Sequence, residues 1–209
     1  MRRPTFIARQ SAHPRGLLGR LLVSIMESES AAENDRALEL LQLGAGDGFL
    51  EIGFGHGRTL LRAAALVGSG SIAGADASPV AVAAASRKLA SLIREGRADL
   101  RQADSSRLPW DDASFDAALS VHTLYFWDDP GSHLREIRRV LRPAGRFVLG
   151  FRRAEDSAMV SSFPRAVYRF YSVPQVCHLL EQSGLSSVET EIANENSKPI
   201  AYAFARRLD

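Results

Sequence analysis

At 209 residues, 45% of them hydrophobic and 24% charged, the chain has the composition of one globular domain with a sizeable core. A net charge of +2 does not demand a nucleic-acid partner, and no apolar run approaches the roughly 20 residues that a membrane span needs. The single cysteine, Cys177, excludes a disulfide framework and a multi-cysteine metal site; no metal is expected, and a cytoplasmic location fits.

Residues 1–20 carry Arg2, Arg3, Arg9, Arg15 and Arg20 and no acid. Pro4, Pro14 and the lack of a continuous apolar stretch argue for a tail rather than a secretory signal. Leu17, Leu18, Leu21, Leu22, Ile25 and Met26 then fall on one helical stripe, which predicts a helix that packs on the core or closes as a lid. The expected division is 1–33, tail and lid helix, and 34–209, the domain proper. A helix is predicted over 34–43, with Ala37, Leu38, Leu40 and Leu41 inward, and the glycines of 44–48 end it.

Phe49, Leu50, Glu51 and Ile52 read as a short buried strand, followed by alternating Gly53, Gly55 and Gly57 and a helix over 59–66. A strand, a glycine turn and a helix start present backbone N–H groups to an open space, which suits a ligand carrying negative charge. A second strand over 71–76 ends in Asp76. Ser78 and Pro79 then start a helix as cap and first residue, and Gly96 stops it after about Arg94. The third strand, 98–103, ends at Asp104, and the fourth covers 115–121. An aromatic loop over 122–130, a helix over 132–141, a turn over 142–145 and a fifth strand over 146–151 follow. The stretch 152–171 reads as a partly helical insertion, and a helix over 173–183 is ended by Gly184. Between strands at 187–192 and 200–205 there is no room for a helix, so they pair antiparallel. The alternation predicts an α/β fold: a doubly wound, mostly parallel sheet of seven strands with a C-terminal antiparallel hairpin.

In such a sheet ligands bind beyond the carboxyl ends of the strands, at the switch in strand order. Three successive strand ends carry the glycine loop, Asp76 and Asp104. A carboxylate 23 residues after Gly53 is placed to accept hydrogen bonds from ribose hydroxyls, and Asp104 from an exocyclic amine such as that of adenine. The dinucleotide fingerprint G-x-G-x-x-G fails, because its third glycine position is Arg58 counted from Gly53 and Leu60 counted from Gly55.

Four segments occur in order: Glu51-Ile52-Gly53-Phe54-Gly55-His56-Gly57; Ala75-Asp76-Ala77-Ser78; Ala103-Asp104-Ser105 with 108–116; and 134–145. Over about 34–206 the chain resembles the class I S-adenosylmethionine-dependent methyltransferases, of the bacterial small-domain, methyltransferase type 11-like kind. The resemblance implies a Rossmann-like fold, S-adenosyl-L-methionine as methyl donor and S-adenosyl-L-homocysteine as product. It implies that Gly53, Gly55 and Gly57 shape a loop around the methionine moiety. Glu51 would fix that loop and reach the ligand's amino group, directly or through water. Asp76 would hold the ribose hydroxyls with Ala77 against adenine, while Asp104 and the Ser105 N–H would take the adenine edge. Ser120, Val121 and His122 would border the sulfonium. Ala144 stands where a second glycine is usual, with little effect expected.

Methyl transfer from a sulfonium is an in-line displacement with a neutral leaving group, so positioning supplies much of the catalysis. A base is needed only where the acceptor must lose a proton. No N-P-P-Y-like segment follows the fourth strand, where amino-methylating nucleic-acid enzymes of this fold carry one, and no nucleic acid is expected as partner. His122 is the candidate base, or else a histidine that packs beside the cofactor; Tyr125 is the candidate for orienting the acceptor. The acceptor pocket is expected from the N-terminal helix, the aromatic loop and 152–171. There Arg152, Arg153, Arg165 and Arg169 either recognise a carboxylate or phosphate or form a solvated face. Phe126 and Trp127 are core or substrate-stacking, and His133 has no assigned role. The expected function is methylation of a small-molecule acceptor by a monomer or homodimer. The alternatives are a nucleotide-cofactor oxidoreductase and a non-catalytic S-adenosylmethionine-binding regulator.

Overall fold

The computed structural model describes residues 4–12, 30–195 and 198–209. The helix expected over 17–26 lies outside the described residues. Seven strands, β1 (Gly48–Ile52), β2 (Ser71–Asp76), β3 (Ala98–Gln102), β4 (Phe115–Val121), β5 (Leu141–Phe151), β6 (Ser186–Glu195) and β7 (Lys198–Arg206), form one sheet. Their spatial order is β3-β2-β1-β4-β5-β7-β6. Strands β1 to β5 are parallel, and β7 runs antiparallel between β5 and β6. The second strand of the hairpin is thus the one inserted against β5, and its first strand forms the sheet edge.

The helices among the described residues are α1 (Thr5–Ala12), α2 (Ala31–Leu41), α3 (Arg58–Leu66), α4 (Pro79–Lys88), α5 (Ala90–Arg94), α6 (Pro130–Val140), α7 (Ser157–Val160) and α8 (Val173–Gln182), with one 3-10 turn at Leu124–Phe126. The two-residue period of each strand divides the core in two. Phe49, Ala117, Leu119, Val148 and Tyr202 pack with α2, α3 and α4 on one face. Leu50, Ala118, Phe147, Leu149 and Ala203 pack with α6 and α8 on the other, joined by the buried Ala8 of α1. Each fully buried Leu or Phe contributes about 1.5–3 kcal/mol, and this two-sided burial explains the near-continuous apolar strands.

Local chemistry sets the element ends. Ser78 Oγ accepts the Ala81 N–H at 3.3 Å, with Pro79 at the first helical position. The single helix expected to Arg94 bends at Leu89 (φ −102°, ψ 18°), which separates α4 from α5. Leu89 turns inward there to fill the space above Gly57. Past α8, Gly184 (φ 81°) lets Leu185 N–H reach Leu180 O at 3.1 Å and Gly184 N–H reach Glu181 O at 3.0 Å, a Schellman end. Helix α2 begins at Ala31, so the expected boundary after residue 33 falls inside it and Glu33 lies in its first turn. The turn over 142–145 is continuous with β5: Ala144 N–H bonds Arg207 O at 2.7 Å, and Ala144 takes φ 63°, a left-handed conformation. The stretch 152–171 holds only the single turn α7 and is closed by a bridge between Arg153 and Tyr171.

No helix among the described residues is long and apolar enough to cross a membrane. The chain winds from β1 through β2 to β3, then crosses back to β4 on the other side of β1. A crevice opens at that reversal, beyond the carboxyl ends of β1 and β4.

Candidate active site

The crevice is a cleft of about 470 Å³ walled by the loops that follow β1, β2, β3 and β4. Gly53 (φ 74°) and Gly55 (φ 54°) line it in left-handed conformations, and a Cβ on Gly53 would collide with the Thr123 methyl. Gly57 (φ 75°) is different. It does not line the cleft, because its open side faces α4 and α5: a Cβ there would lie 2.7 Å from Leu89 Cδ1 and 2.9 Å from Ala85 Cβ. Its part in the loop is to let α3 start against its neighbours.

Asp76 joins two loops: its Oδ2 accepts Gly55 N–H at 3.0 Å and its Oδ1 accepts Ser78 N–H at 2.8 Å. Ala77 lines the cleft beside it. Asp104 also lines the cleft and is exposed, with Oδ1 accepting Ser106 N–H at 2.8 Å, so it caps a turn as well. The buried Ser105 bonds through Oγ to His133 Nδ1 at 2.7 Å, and the His133 ring stacks on Trp127 with centroids 4.7 Å apart and planes at 4°. Burial holds the His133 imidazole below its ordinary pKa, against the upward pull of Asp104, Asp129 and Asp128. Ser120 is fully buried beneath the cleft and does not line it; its Oγ bonds Thr123 Oγ1 and lies 3.4 Å from Ile52 O. It braces the turn after β4, while Val121 and His122 reach the cleft itself.

Glu51 lines the cleft yet is only 4% exposed. Burial pushes its carboxyl up to about 8, with nearby Asp76 adding to the rise and hydrogen bonds from the Thr59 hydroxyl and Leu60 N–H opposing it. Its buried Oε2 has no hydrogen-bond partner among the described residues.

His122 adopts φ 61°, which an L side chain takes only at a cost of about 1–2 kcal/mol. Its Nε2 meets the carboxylate of Glu33, and its Nδ1 lies 3.0 Å from the Tyr125 hydroxyl. The Tyr125 oxygen also accepts the backbone N–H of Arg152, and burial raises the phenol's pKa. Glu33 is 1% exposed. Burial pushes its carboxyl up, but the bonds and charges of His122 and Arg152 outweigh that and hold it below the usual range. Arg152 pairs with Glu33 and donates to Pro199 O at 2.7 Å. Of the four arginines considered for acceptor recognition, only Arg152 lines the cleft, already paired. Arg153 is bound to Asp156 and Arg169 to Asp128, and Arg165 is exposed. An apolar stretch of the wall is formed by Phe126, Met159, Phe163, Tyr168 and Phe170, with the Tyr168 ring centroid 4.9 Å from that of Phe163 and 5.0 Å from that of Phe126, while Asn34, Arg58, Ser162 and Lys198 also line the cleft.

Sequence reasoning missed Glu33, placed just outside the domain, and His133, which sits in no motif. One signal was available for Glu33: an acid in the first turn of an amphipathic helix next to the glycine loop. The arrangement offers backbone donors and carboxylates at one end and an aromatic wall at the other, so it can hold a polar nucleoside-like ligand against an apolar one.

Residues 50–149 match the family described as Methyltransferase domain. The 27-O-demethylrifamycin SV methyltransferase of Amycolatopsis mediterranei is 27% identical over 88% of this chain and 70% of its own length. The O-methyltransferase resE of Aspergillus sclerotiorum is 28% identical over 80% of this chain and 65% of its own length. The chain thus spans about two thirds of the length of these relatives. A solved S-adenosylmethionine-dependent methyltransferase from Aquifex aeolicus superposes with TM-score 0.71 at 20% identity, over 90% of this chain and 98% of that one. In its motifs, strand order and relatives, the chain is similar to the class I S-adenosylmethionine-dependent methyltransferases.

Proposed function

We propose that this chain transfers the methyl group of S-adenosyl-L-methionine to a small organic acceptor and releases S-adenosyl-L-homocysteine. The observation that carries this reading is the buried Oε2 of Glu51, unpartnered among the described residues, in the cleft that Asp76 and Asp104 also line. These residues fit the donor: a buried carboxyl oxygen suits its ammonium, and glycines without Cβ admit it close to the main chain. When bound, the donor supplies a methyl on a sulfonium, activated for in-line displacement.

The protein's part is to hold. Glu51 takes the ammonium, Gly53 and Gly55 the methionine moiety, and Asp76 the ribose hydroxyls. Ala77, Asp104 and Ser105 surround the adenine. Val121 and His122 border the methyl, and the wall of Phe126, Phe163, Tyr168 and Phe170 receives an apolar acceptor body. The names of both relatives, which refer to O-methylation, support an oxygen acceptor. The enzyme works in the cytoplasm as monomer or homodimer.

Calorimetry with S-adenosylmethionine and S-adenosylhomocysteine, with NAD and NADP as controls, tests the reading; both adenosyl ligands are expected to bind and neither dinucleotide. Preferential binding of NAD or NADP overturns it. Pooled small-molecule acceptors, screened for S-adenosylhomocysteine release, then separate an enzyme from a binding protein.

A further inference from the structure

Four groups from distant parts of the chain meet at the inner wall of the cleft: Glu33 on α2, His122 and Tyr125 after β4, and Arg152 just past β5. For a neutral His122 ring, what each can donate or accept fixes every hydrogen between them. The Arg152 backbone N–H only donates, so the Tyr125 oxygen accepts there. Glu33, held against the Arg152 guanidinium, is a carboxylate and only accepts. His122 Nε2 therefore carries its hydrogen toward Glu33. In the neutral ring Nδ1 is then a bare lone pair, 3.0 Å from a Tyr125 oxygen whose own hydrogen is still to be placed. That hydrogen goes to Nδ1, and the second lone pair of the Tyr125 oxygen is left to accept. Tyr125 is a residue of the cleft wall. The left-handed backbone of His122 shows that the fold tolerates strain to aim this ring.

We propose that Glu33 is a positioning residue that sets the direction of a proton relay from an acceptor hydroxyl through Tyr125 to His122. The proposal rests on the methyltransferase reading above. The acceptor's O–H bond breaks as its proton passes to the Tyr125 oxygen, and Tyr125's own proton passes to His122 Nδ1. The acceptor oxygen keeps the electron pair with which it bonds the methyl carbon. The imidazolium formed is held against the Glu33 carboxylate and returns to neutral by losing a proton to water. Such a relay has a use only where attack and deprotonation are coupled, which assigns the acceptor atom to a hydroxyl oxygen. Glu33 acts through the ring and not on the acceptor.

The test is 15N NMR of histidine-labelled protein at pH 8 without donor, the His122 signals being assigned by their loss in His122→Gln. Wild type is expected to show the Nε2–H tautomer. The double variant Glu33→Gln with Arg152→Met removes both charges of the buried pair together, so neither is left buried alone. Its tautomer ratio is expected to move toward Nδ1–H by about tenfold, the loss of one charge-assisted hydrogen bond. Arg152→Met alone keeps Glu33 and is expected to retain Nε2–H. An Nδ1–H ring in wild type, or an unchanged ratio in the double variant, overturns the proposal. Calorimetry with S-adenosylhomocysteine on the wild-type sample reports separately: if that ligand is ignored, the methyltransferase reading and the use of the relay fall, while the tautomer result stands on its own.

Discussion

Replacing Glu51 with glutamine probes the centre of the cleft. A carboxyl pushed up to about 8 stays protonated in the folded chain at pH 7, while in the unfolded chain, starting from 4.5, it is ionised. Below pH 4.5 both states hold the proton and there is no cost. From there to pH 8 the unfolded state binds fewer protons, so stability falls by about 1.4 kcal/mol per pH unit and is about 3 kcal/mol lower by pH 7. Glutamine keeps an oxygen for the Thr59 hydroxyl and Leu60 N–H but does not titrate. Urea unfolding of wild type and Glu51→Gln should therefore diverge with pH, the variant gaining about 3 kcal/mol on wild type between pH 5.5 and 7.5. The fixed cost of burying an amide, about 1–3 kcal/mol, cancels in that difference. A stability difference that is flat across this range would falsify the account of Glu51. The same reasoning gives a binding signature. Donor binding through its ammonium should release a proton from Glu51 near pH 7, read as a dependence of the calorimetric heat on buffer ionisation enthalpy and absent in Glu51→Gln.

Three further substitutions test separate parts of the argument. Asp76→Asn should weaken donor binding about 10- to 100-fold by calorimetry, since a charged acceptor is replaced at the ribose position; unchanged affinity would place the ribose elsewhere. Gly57→Ala combines a left-handed φ with contacts of 2.7 and 2.9 Å, and should lower stability by about 2–4 kcal/mol in urea titrations. A loss below about 1 kcal/mol would mean that Leu89 and Ala85 yield easily. Ala144→Gly relieves the left-handed Cβ but adds freedom to the unfolded chain, and a net gain of about 0.5–1 kcal/mol in thermal unfolding is expected; a loss would show that Ala144 is not strained.

The architecture could be read in the chain because its signals are local. Two-residue alternation, Ser78-Pro79 as a helix start, and Gly96 and Gly184 as stops each act within a few residues, and the buried parallel strands are apolar on both faces. That Glu51, Gly53, Asp76 and Asp104 share one cleft was legible for the same reason: they sit at or just past strand ends, and strand order alone brings those ends together. Short-range signals fail where a role depends on what lies opposite. Gly57 looks like its neighbours, but helix packing turns it toward Leu89. Ser120 lies one residue before the cleft-lining Val121, and the pleat sends it into the core. Ala144 takes the usual glycine's conformation where its N–H bonds the Arg207 carbonyl, one residue past the end of β7.

The acceptor end follows the same logic at longer range. Glu33 meets His122 across 89 positions and Arg152 across 119. No spacing rule links residues so far apart; the packing of α2 onto the sheet does. Residue types at strand ends are what point to an adenosyl donor. The partners that decide how His122 is oriented and what surrounds the acceptor came from folding distant segments against one another, since burial forces a charged or polar group to find whatever partner the packing supplies.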